Sequence, residues 1–259
     1  MKFSLREKMF QAWYWYVNKA DKNAEVLFMN YGFHHPDEKV ELTENNEINR
    51  YSIQLYDHLA SAVELQGKDI IEIGCGRGGG LWHIVNAYKP KSAKGVDLDR
   101  IAIQFCNEHY VHDDVSFAMG DAQKLDIDDL SADVIFNVES SHRYPDMDAF
   151  LREVNRILKP GGYFLYTDFR FDHEMDEMKK QLAASGLSIE KERLINDEVV
   201  AALTLDDSRK RQLVRRLVPG FLRGVALNFA GVVGSQTFNQ IETRKYVYYS
   251  YVLKKDDKS

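Results

Sequence analysis

Between Lys68 and Phe169 two hydrophobic patterns alternate along the chain. Short apolar runs rich in β-branched and aromatic residues occupy 69–73, 93–97, 115–119, 133–137 and 163–169. Runs of this length and composition predict buried strands. Longer amphipathic segments at 81–88, about 100–110 and 147–158 lie between them and predict helices. The last ends at Lys159-Pro160-Gly161-Gly162, which stops a helix and turns the chain. Such alternation implies parallel strands joined by right-handed crossovers, with a ligand site at the strands' C-terminal ends. The expected class is α/β with a doubly wound, mostly parallel sheet. Residues 2 to about 64 read as helical around a polar turn at His34-His35-Pro36-Asp37. The tail offers a strand at 187–195, a basic helix at 207–217 and a final Tyr-rich strand. The division expected is an N-terminal helical cap, 1–66, on a ligand-binding domain, 67–259, whose tail supplies pocket insertions.

Composition narrows the class of partner. Hydrophobic residues at 44% and charged residues at 29% suit a chain that buries a core rather than a disordered one. A net charge of -6 argues against nucleic acid as partner, since phosphate neutralisation requires surplus Lys and Arg. Cys75 and Cys106 are too few for a disulfide framework or a cysteine-based zinc site, which suggests a reducing, cytoplasmic setting. No metal site is expected. The N-terminal apolar run is broken by Gln11 and lacks a signal-peptide pattern, and the weakly polar stretch 225–234 is too short to span a bilayer. Peripheral contact with a lipid surface stays open. The aromatic residues, 14 Phe, 14 Tyr and 3 Trp, gather at 10–16 and 246–251.

Chemistry concentrates after the first strand, in Glu72-Ile73-Gly74-Cys75-Gly76-Arg77-Gly78-Gly79-Gly80. Glycines here let the backbone turn sharply and approach a ligand, and the helix that follows presents free N–H groups. Gly74, Gly76 and Gly79 satisfy the dinucleotide spacing, and Gly74, Gly76 and Gly78 satisfy G-x-G-x-G. A plain strand–helix turn would use glycines in the same way. Of three acids at the strand ends, two separate these readings. Glu72 stands two residues before the loop, where it favours a cationic ligand group and repels a pyrophosphate. Asp97 ends the second strand, where an acid takes two ribose hydroxyls under either reading. Gly120-Asp121-Ala122 follows the third strand, where a carboxylate and backbone amides can read an adenine amino group. Together they describe a site for an adenosine bearing an amino-acid cation.

These motifs resemble those of the class I S-adenosylmethionine-dependent methyltransferases, with 159–162 matching the turn before the fifth strand. The resemblance spans roughly 68 to 170 and implies a seven-stranded Rossmann-like sheet. It places Gly74, Gly76 and Gly78 along the methionine part with Glu72 at its edge, Asp97 on the ribose, and Asp121 with Ala122 on the adenine. Asn137 would bind the methionine end, and Tyr31 would close over S-adenosyl-L-methionine, whose product is S-adenosyl-L-homocysteine.

A narrower resemblance lies in Phe28-Met29-Asn30-Tyr31-Gly32-Phe33, Asn49-Arg50-Tyr51 and the run Asn137 to Pro145. It is to the phthiotriol and phenolphthiotriol dimycocerosate methyltransferases and related fatty-acid and natural-product O-methyltransferases. It implies transfer to a hydroxyl or carboxyl of a hydrophobic small molecule such as a lipid or polyketide. In that group a small residue or Cys stands between the His and the Tyr. Here it is Arg143, a cation that could favour an acceptor carrying a carboxylate. A hydroxyl acceptor benefits from a base, for which His142 is the first candidate; a carboxylate needs mainly positioning and desolvation. Glu139 could orient His142, stabilise the sulfonium or act as base. Asp168 with His142 and Glu139 has no tight metal-ligand spacing. The basic run Arg209 to Arg216 reads as a solvated face or an anion-binding surface, and 218–222 as a lid over an apolar pocket or ordinary packing. Three other functions remain: C-methylation of a sterol or isoprenoid, nicotinamide-dependent oxidoreduction, and cofactor binding without catalysis.

Overall fold

The structure, a computed structural model, describes residues 21, 24–38 and 40–257. Seven strands form one sheet in the order β3-β2-β1-β4-β5-β7-β6. They are β1 (Asp69–Ile73), β2 (Ser92–Asp97), β3 (Val115–Met119), β4 (Ala132–Val138), β5 (Leu158–Phe171), β6 (Leu187–Leu194) and β7 (Tyr246–Lys255). The first five are parallel, and β7 runs antiparallel to both β5 and β6. The predicted doubly wound, Rossmann-like sheet is therefore present, and its order reverses between β1 and β4. Chain connections leave in opposite directions there and open a crevice.

Two cores sandwich the sheet. One is built by α1 (Arg50–Ala60), α2 (Gly79–Tyr88), α3 (Arg100–His109) and α6 (Asn196–Leu217) through Leu59, Ile84, Ile103 and Leu203. The other is built by α4 (Met147–Ile157) and α5 (Met175–Ala184). In α4 the residues Met147, Phe150, Leu151, Val154 and Ile157 form one buried stripe at three- and four-residue spacing. Its start is set by Asp146, whose Oδ1 accepts the Ala149 amide at 2.8 Å. Strands β1 and β4 are buried on both sides along most of their length and carry the apolar runs Ile70-Ile71 and Val134-Ile135-Phe136, as suits central parallel strands. The tail adds α7 (Arg223–Phe229) and α8 (Gln236–Glu242). Among the described residues no helix is long and apolar enough to cross a membrane.

The structure departs from the sequence pattern in three places. First, the described residues of 24–43 form no helix, and helical structure among the described residues begins with the 3-10 turn Glu44–Asn49 and α1; 1–20 lies outside them. The amides of this strap bond to tertiary partners instead of to the fourth preceding carbonyl: Tyr31 to Glu139 Oε1 at 2.7 Å, Phe33 to Tyr51 O at 2.9 Å, His34 to Glu198 O at 3.1 Å. Its apolar side chains pack on the core, overriding helix propensity. Second, β5 begins at Leu158, and 159–162 loops out of it, because Ala132 pairs with Leu158 while Val134 pairs with Tyr163. Third, the basic helix begins at Asn196 rather than 207. The Asn196 side chain donates to Ile241 O and Tyr246 O, both at 2.8 Å, and accepts the Tyr248 amide, which ties this helix start to β7.

Candidate active site

A cavity of about 400 Å³ opens at the C-terminal ends of β1, β2, β3 and β4. The glycine loop forms one wall. Gly74 and Gly76 both line it with φ of +80° and +51°, the left-handed region that glycine adopts without strain. A Cβ on Gly74 would stand 2.0 Å from Ser140 Oγ, so this residue must also be bare for the loop to pack on the end of β4. Gly76 N donates to Asp97 Oδ2 and Asp99 N to Asp97 Oδ1, both at 2.8 Å. Burial raises the Asp97 pKa, and these two amides oppose it. Asp97, Asp121 and Ala122 line the cavity together, as the acid pattern predicts. Gly78 does not line it. It caps the start of α2, and a Cβ there would meet Phe117 and Tyr110 behind the loop.

Glu72 lies beneath this wall, fully buried. Its Oε1 accepts from Tyr56 Oη at 2.7 Å, and its Oε2 has no hydrogen bond of normal geometry. Burial pushes its pKa up to about 7, against the Tyr56 hydroxyl and the Leu81 amide, which lower it. Tyr56 lines the cavity, so Glu72 acts on it through that hydroxyl.

The end of β4 supplies the remaining groups. Asn137 is fully buried and donates to Ile73 O at 2.7 Å and Tyr144 Oη at 3.1 Å, so it braces the loop from below. Glu139 lines the cavity with an unusual backbone φ of +48°. Its Oε1 accepts from the Tyr31 amide and from Tyr248 Oη, and its Oε2 has no hydrogen-bond partner among the described residues. Burial pushes its pKa up to about 8, against those two hydrogen bonds. His142 lines neither this cavity nor the second one described below. Its Nδ1 lies 2.8 Å from Asp168 Oδ1, its Nε2 accepts from Arg143 Nε at 3.2 Å, and its ring packs 4.4 Å from that of Phe169. Asp168, not Glu139, orients His142. Burial opposes the Asp168 charge, but His142 and Arg170 outweigh it and hold the carboxyl well below the usual range. Arg143, the cation that the sequence sets beside the site, reaches the cavity wall.

A second cavity of about 120 Å³ adjoins the first, sharing Phe28, Met29 and Asn30 with it. Its walls are mostly apolar, from Val26, Leu213, Val214, Leu217, Val218 and Phe229. Tyr31 lines this cavity rather than the first, and its ring packs 5.6 Å from that of Phe169. The segment 218–230 thus walls a pocket.

A family model for a methyltransferase domain matches residues 71–166. A fatty-acid O-methyltransferase from Mycolicibacterium smegmatis is 40% identical over 211 residues, 81% of this chain and 77% of the relative. The phthiotriol/phenolphthiotriol dimycocerosates methyltransferase of Mycobacterium tuberculosis is 36% identical over 254 residues, 98% of this chain and 94% of the relative. The chain belongs to the class I S-adenosylmethionine-dependent methyltransferases. The fold agrees: the geranyl diphosphate C-methyltransferase of Streptomyces coelicolor superposes with a TM-score of 0.68, covering 98% of this chain and 100% of that one at 15% identity. The nicotinamide alternative is overturned by this membership.

The donor set of this methyltransferase fits S-adenosylmethionine. The partly unsatisfied buried carboxylate Glu72 suits a nearby ammonium, and each oxygen of Asp97, which lines the cavity, accepts one amide and so keeps acceptor capacity. Glu72 and the half-buried Glu139 also set a pH dependence. In the folded protein Glu72 and Glu139 hold protons up to about pH 7 and 8, whereas a free Glu loses its proton near 4.5. The native state then binds more protons than the unfolded one across that window, so stability falls as pH rises through it. We expect the Tm of the ligand-free protein to drop between pH 5 and 8 in calorimetry, and Glu139→Gln to flatten the slope; an unchanged slope would contradict the assignment.

Some site residues carry little sequence signal. Tyr56 looks like any apolar position of an amphipathic helix. Its signal is indirect, since a Cβ on Gly80 would lie 1.8 Å from Tyr56 Cζ. Lys210 has a clearer one. Val199, Leu203, Asp206, Lys210, Val214 and Leu217 share one face of α6, so two charged residues fall on a buried stripe.

Proposed function

We propose that this methyltransferase transfers a methyl group to an oxygen, hydroxyl or carboxyl, of a hydrophobic small molecule. The observation that carries the reading is the pairing of a polar, acid-rimmed cavity with an apolar one across the shared wall Phe28–Asn30. The names of the relatives, which specify lipid and fatty-acid acceptors, support it. S-Adenosylmethionine supplies the electrophile, a methyl group on positively charged sulfur whose loss leaves a neutral thioether.

Asp97 would take the ribose hydroxyls, Asp121 and Ala122 the adenine edge, and Gly74 and Gly76 the methionine part. Glu72 would balance the ammonium through Tyr56. The segment ahead of residue 67 caps both cavities through Leu27 to Tyr31. Glu139 is an ionisable group at the junction: above about pH 8 its carboxylate can take the proton of a hydroxyl acceptor, and below it the protonated carboxyl can donate a hydrogen bond to an anionic one. His142, its ring held by Asp168, positions Arg143 at the wall rather than reaching the acceptor itself. Apolar walls around the acceptor exclude water, which strengthens every charge–charge interaction in the site.

The test is incubation with methyl-labelled S-adenosylmethionine and a panel of fatty acids, fatty alcohols and polyketides, followed by mass spectrometry. Label in an alkali-labile ester or in an ether supports the reading. Label on carbon, in acceptors lacking hydroxyl or carboxyl, would assign C-methylation of an isoprenoid-like acceptor instead. Absence of S-adenosylhomocysteine binding by calorimetry would sink both.

A further inference from the structure

We infer that the second cavity is the pocket for an aliphatic carboxylate, with the Lys210 ammonium as its anion-binding group. The inference rests on the methyl-transfer reading and narrows its acceptor.

Lys210 is 8% exposed and lines the apolar cavity. Its Nζ lies 3.5 Å from Tyr31 O and 5.9 Å from the centre of the Tyr31 ring. No carboxylate among the described residues lies within ion-pair distance of it. The neighbouring acids are already engaged. Both oxygens of Asp206 bond Arg209 at 2.6 Å, and Asp207 takes Arg211 at 2.8 Å and the Val233 amide. At the far wall Asp21 pairs with Arg77 and Glu25 with Arg216. An unbalanced cation in an apolar pocket is costly, because little solvent or counter-charge offsets its desolvation. A ligand that brings one negative charge and an alkyl chain satisfies both parts of this pocket at once.

The position of the cation fixes the direction of such a ligand. Tyr31 O faces Lys210, and the Tyr31 amide bonds Glu139 at the cofactor cavity. The anionic head therefore belongs at the shared wall, with the tail along Leu213, Leu217 and Phe229. Glu139 does not repel it at neutral pH, because its carboxyl is protonated below about 8 and can donate a hydrogen bond.

The chemistry is consistent with this placement. A carboxylate arrives without its proton and needs no base. One of its oxygens forms the bond to the methyl carbon as the carbon–sulfur bond breaks, and the bonding pair stays with sulfur. Anion and sulfonium become neutral ester and neutral thioether. The ester no longer balances Lys210, which favours its release.

Two measurements test the inference on the full chain saturated with S-adenosylhomocysteine: calorimetric binding of decanoate and of decanol. In Lys210→Met, decanoate binding is expected to weaken about 30-fold or more, the scale for truncating one partner of a buried charge pair, with decanol binding held or tightened. Lys210→Gln should behave alike and serves if the first variant misfolds. The ligand-free Tm of Lys210→Met should rise, since a buried charge is replaced by an apolar chain of similar length. Wild-type decanoate binding should also fade above about pH 8, as Lys210 loses its proton and Glu139 becomes an anion. Asp206, Asp207 and Arg209 also face Lys210, and Asp168 and Tyr248 face Glu139. Decanoate binding within twofold of wild type in both variants, or equal loss of decanoate and decanol, overturns the inference. If decanoate binding depends on Lys210 but no acceptor is methylated, the transfer reading fails and the anion pocket stands.

Discussion

Asp97→Ala is expected to weaken S-adenosylhomocysteine binding about 100-fold or more, measured by titration calorimetry. Each hydrogen bond from a ligand to a charged group contributes about 1.5–3 kcal/mol, and two ribose hydroxyls on one carboxylate put the loss in that range. The carboxylate also holds Gly76 N and Asp99 N at 2.8 Å, so its removal loosens the glycine loop at the cavity wall. Asp97→Asn separates these contributions. It keeps one acceptor oxygen but turns an NH2 toward a backbone amide or a ribose hydroxyl. Burial already raises the Asp97 pKa, so removing the charge should leave the ligand-free Tm unchanged or higher while binding is lost. Near-wild-type affinity in either variant would refute the assignment of Asp97 to the ribose.

Arg77→Met is expected to destabilise the fold by about 3–5 kcal/mol in chemical denaturation, the cost of stripping one partner from a buried ion pair. Arg77 Nη2 lies 3.1 Å from Asp21 Oδ2, and neither side chain has any solvent exposure. Asp21 also accepts the amides of Glu25 at 2.9 Å and Val26 at 2.8 Å, so the pair clamps the strap to the glycine loop. The guanidinium lies 3.8 Å from the centre of the Phe105 ring, which adds a cation–π contact. Adding Asp21→Asn to Arg77→Met removes the orphaned charge and should recover part of the loss. A non-additive cycle identifies the pair itself as the source. A loss below about 1 kcal/mol would show that the pair is not closed in solution.

The first cavity was legible because its signals are local. Gly74 and Gly76 stand in the run that joins β1 to α2, Asp97 ends β2, and Asp121 and Ala122 follow the neighbouring β3. Sequence order and spatial order coincide in such parallel units, so a motif at a strand end marks the site. His142 shows where that reasoning stops. Its position after β4 is correct, but whether its ring meets the cavity depends on Asp168, Phe169 and Arg143, two of which come from β5. Gly78 fails similarly: its spacing fits the motif, while its bare α-carbon faces Phe117 and Tyr110. The strap 24–43 was illegible for another reason. Its amides bond to Glu139, Tyr51 and Glu198, partners that no local pattern can name.

By itself, then, the amino-acid sequence determined the alternating sheet, the glycine loop, the acids at the strand ends and hence the methyltransferase class. Those features depend on residues a few positions apart, where backbone geometry converts spacing directly into shape. Tertiary structure alone decided the second cavity. Lys210 is one of several cations in a basic run until α6 turns it beneath Tyr31, where apolar walls remove its solvent and every nearby acid already has a partner. Burial and charge balance are sums over residues distant in sequence, and only the folded chain performs them.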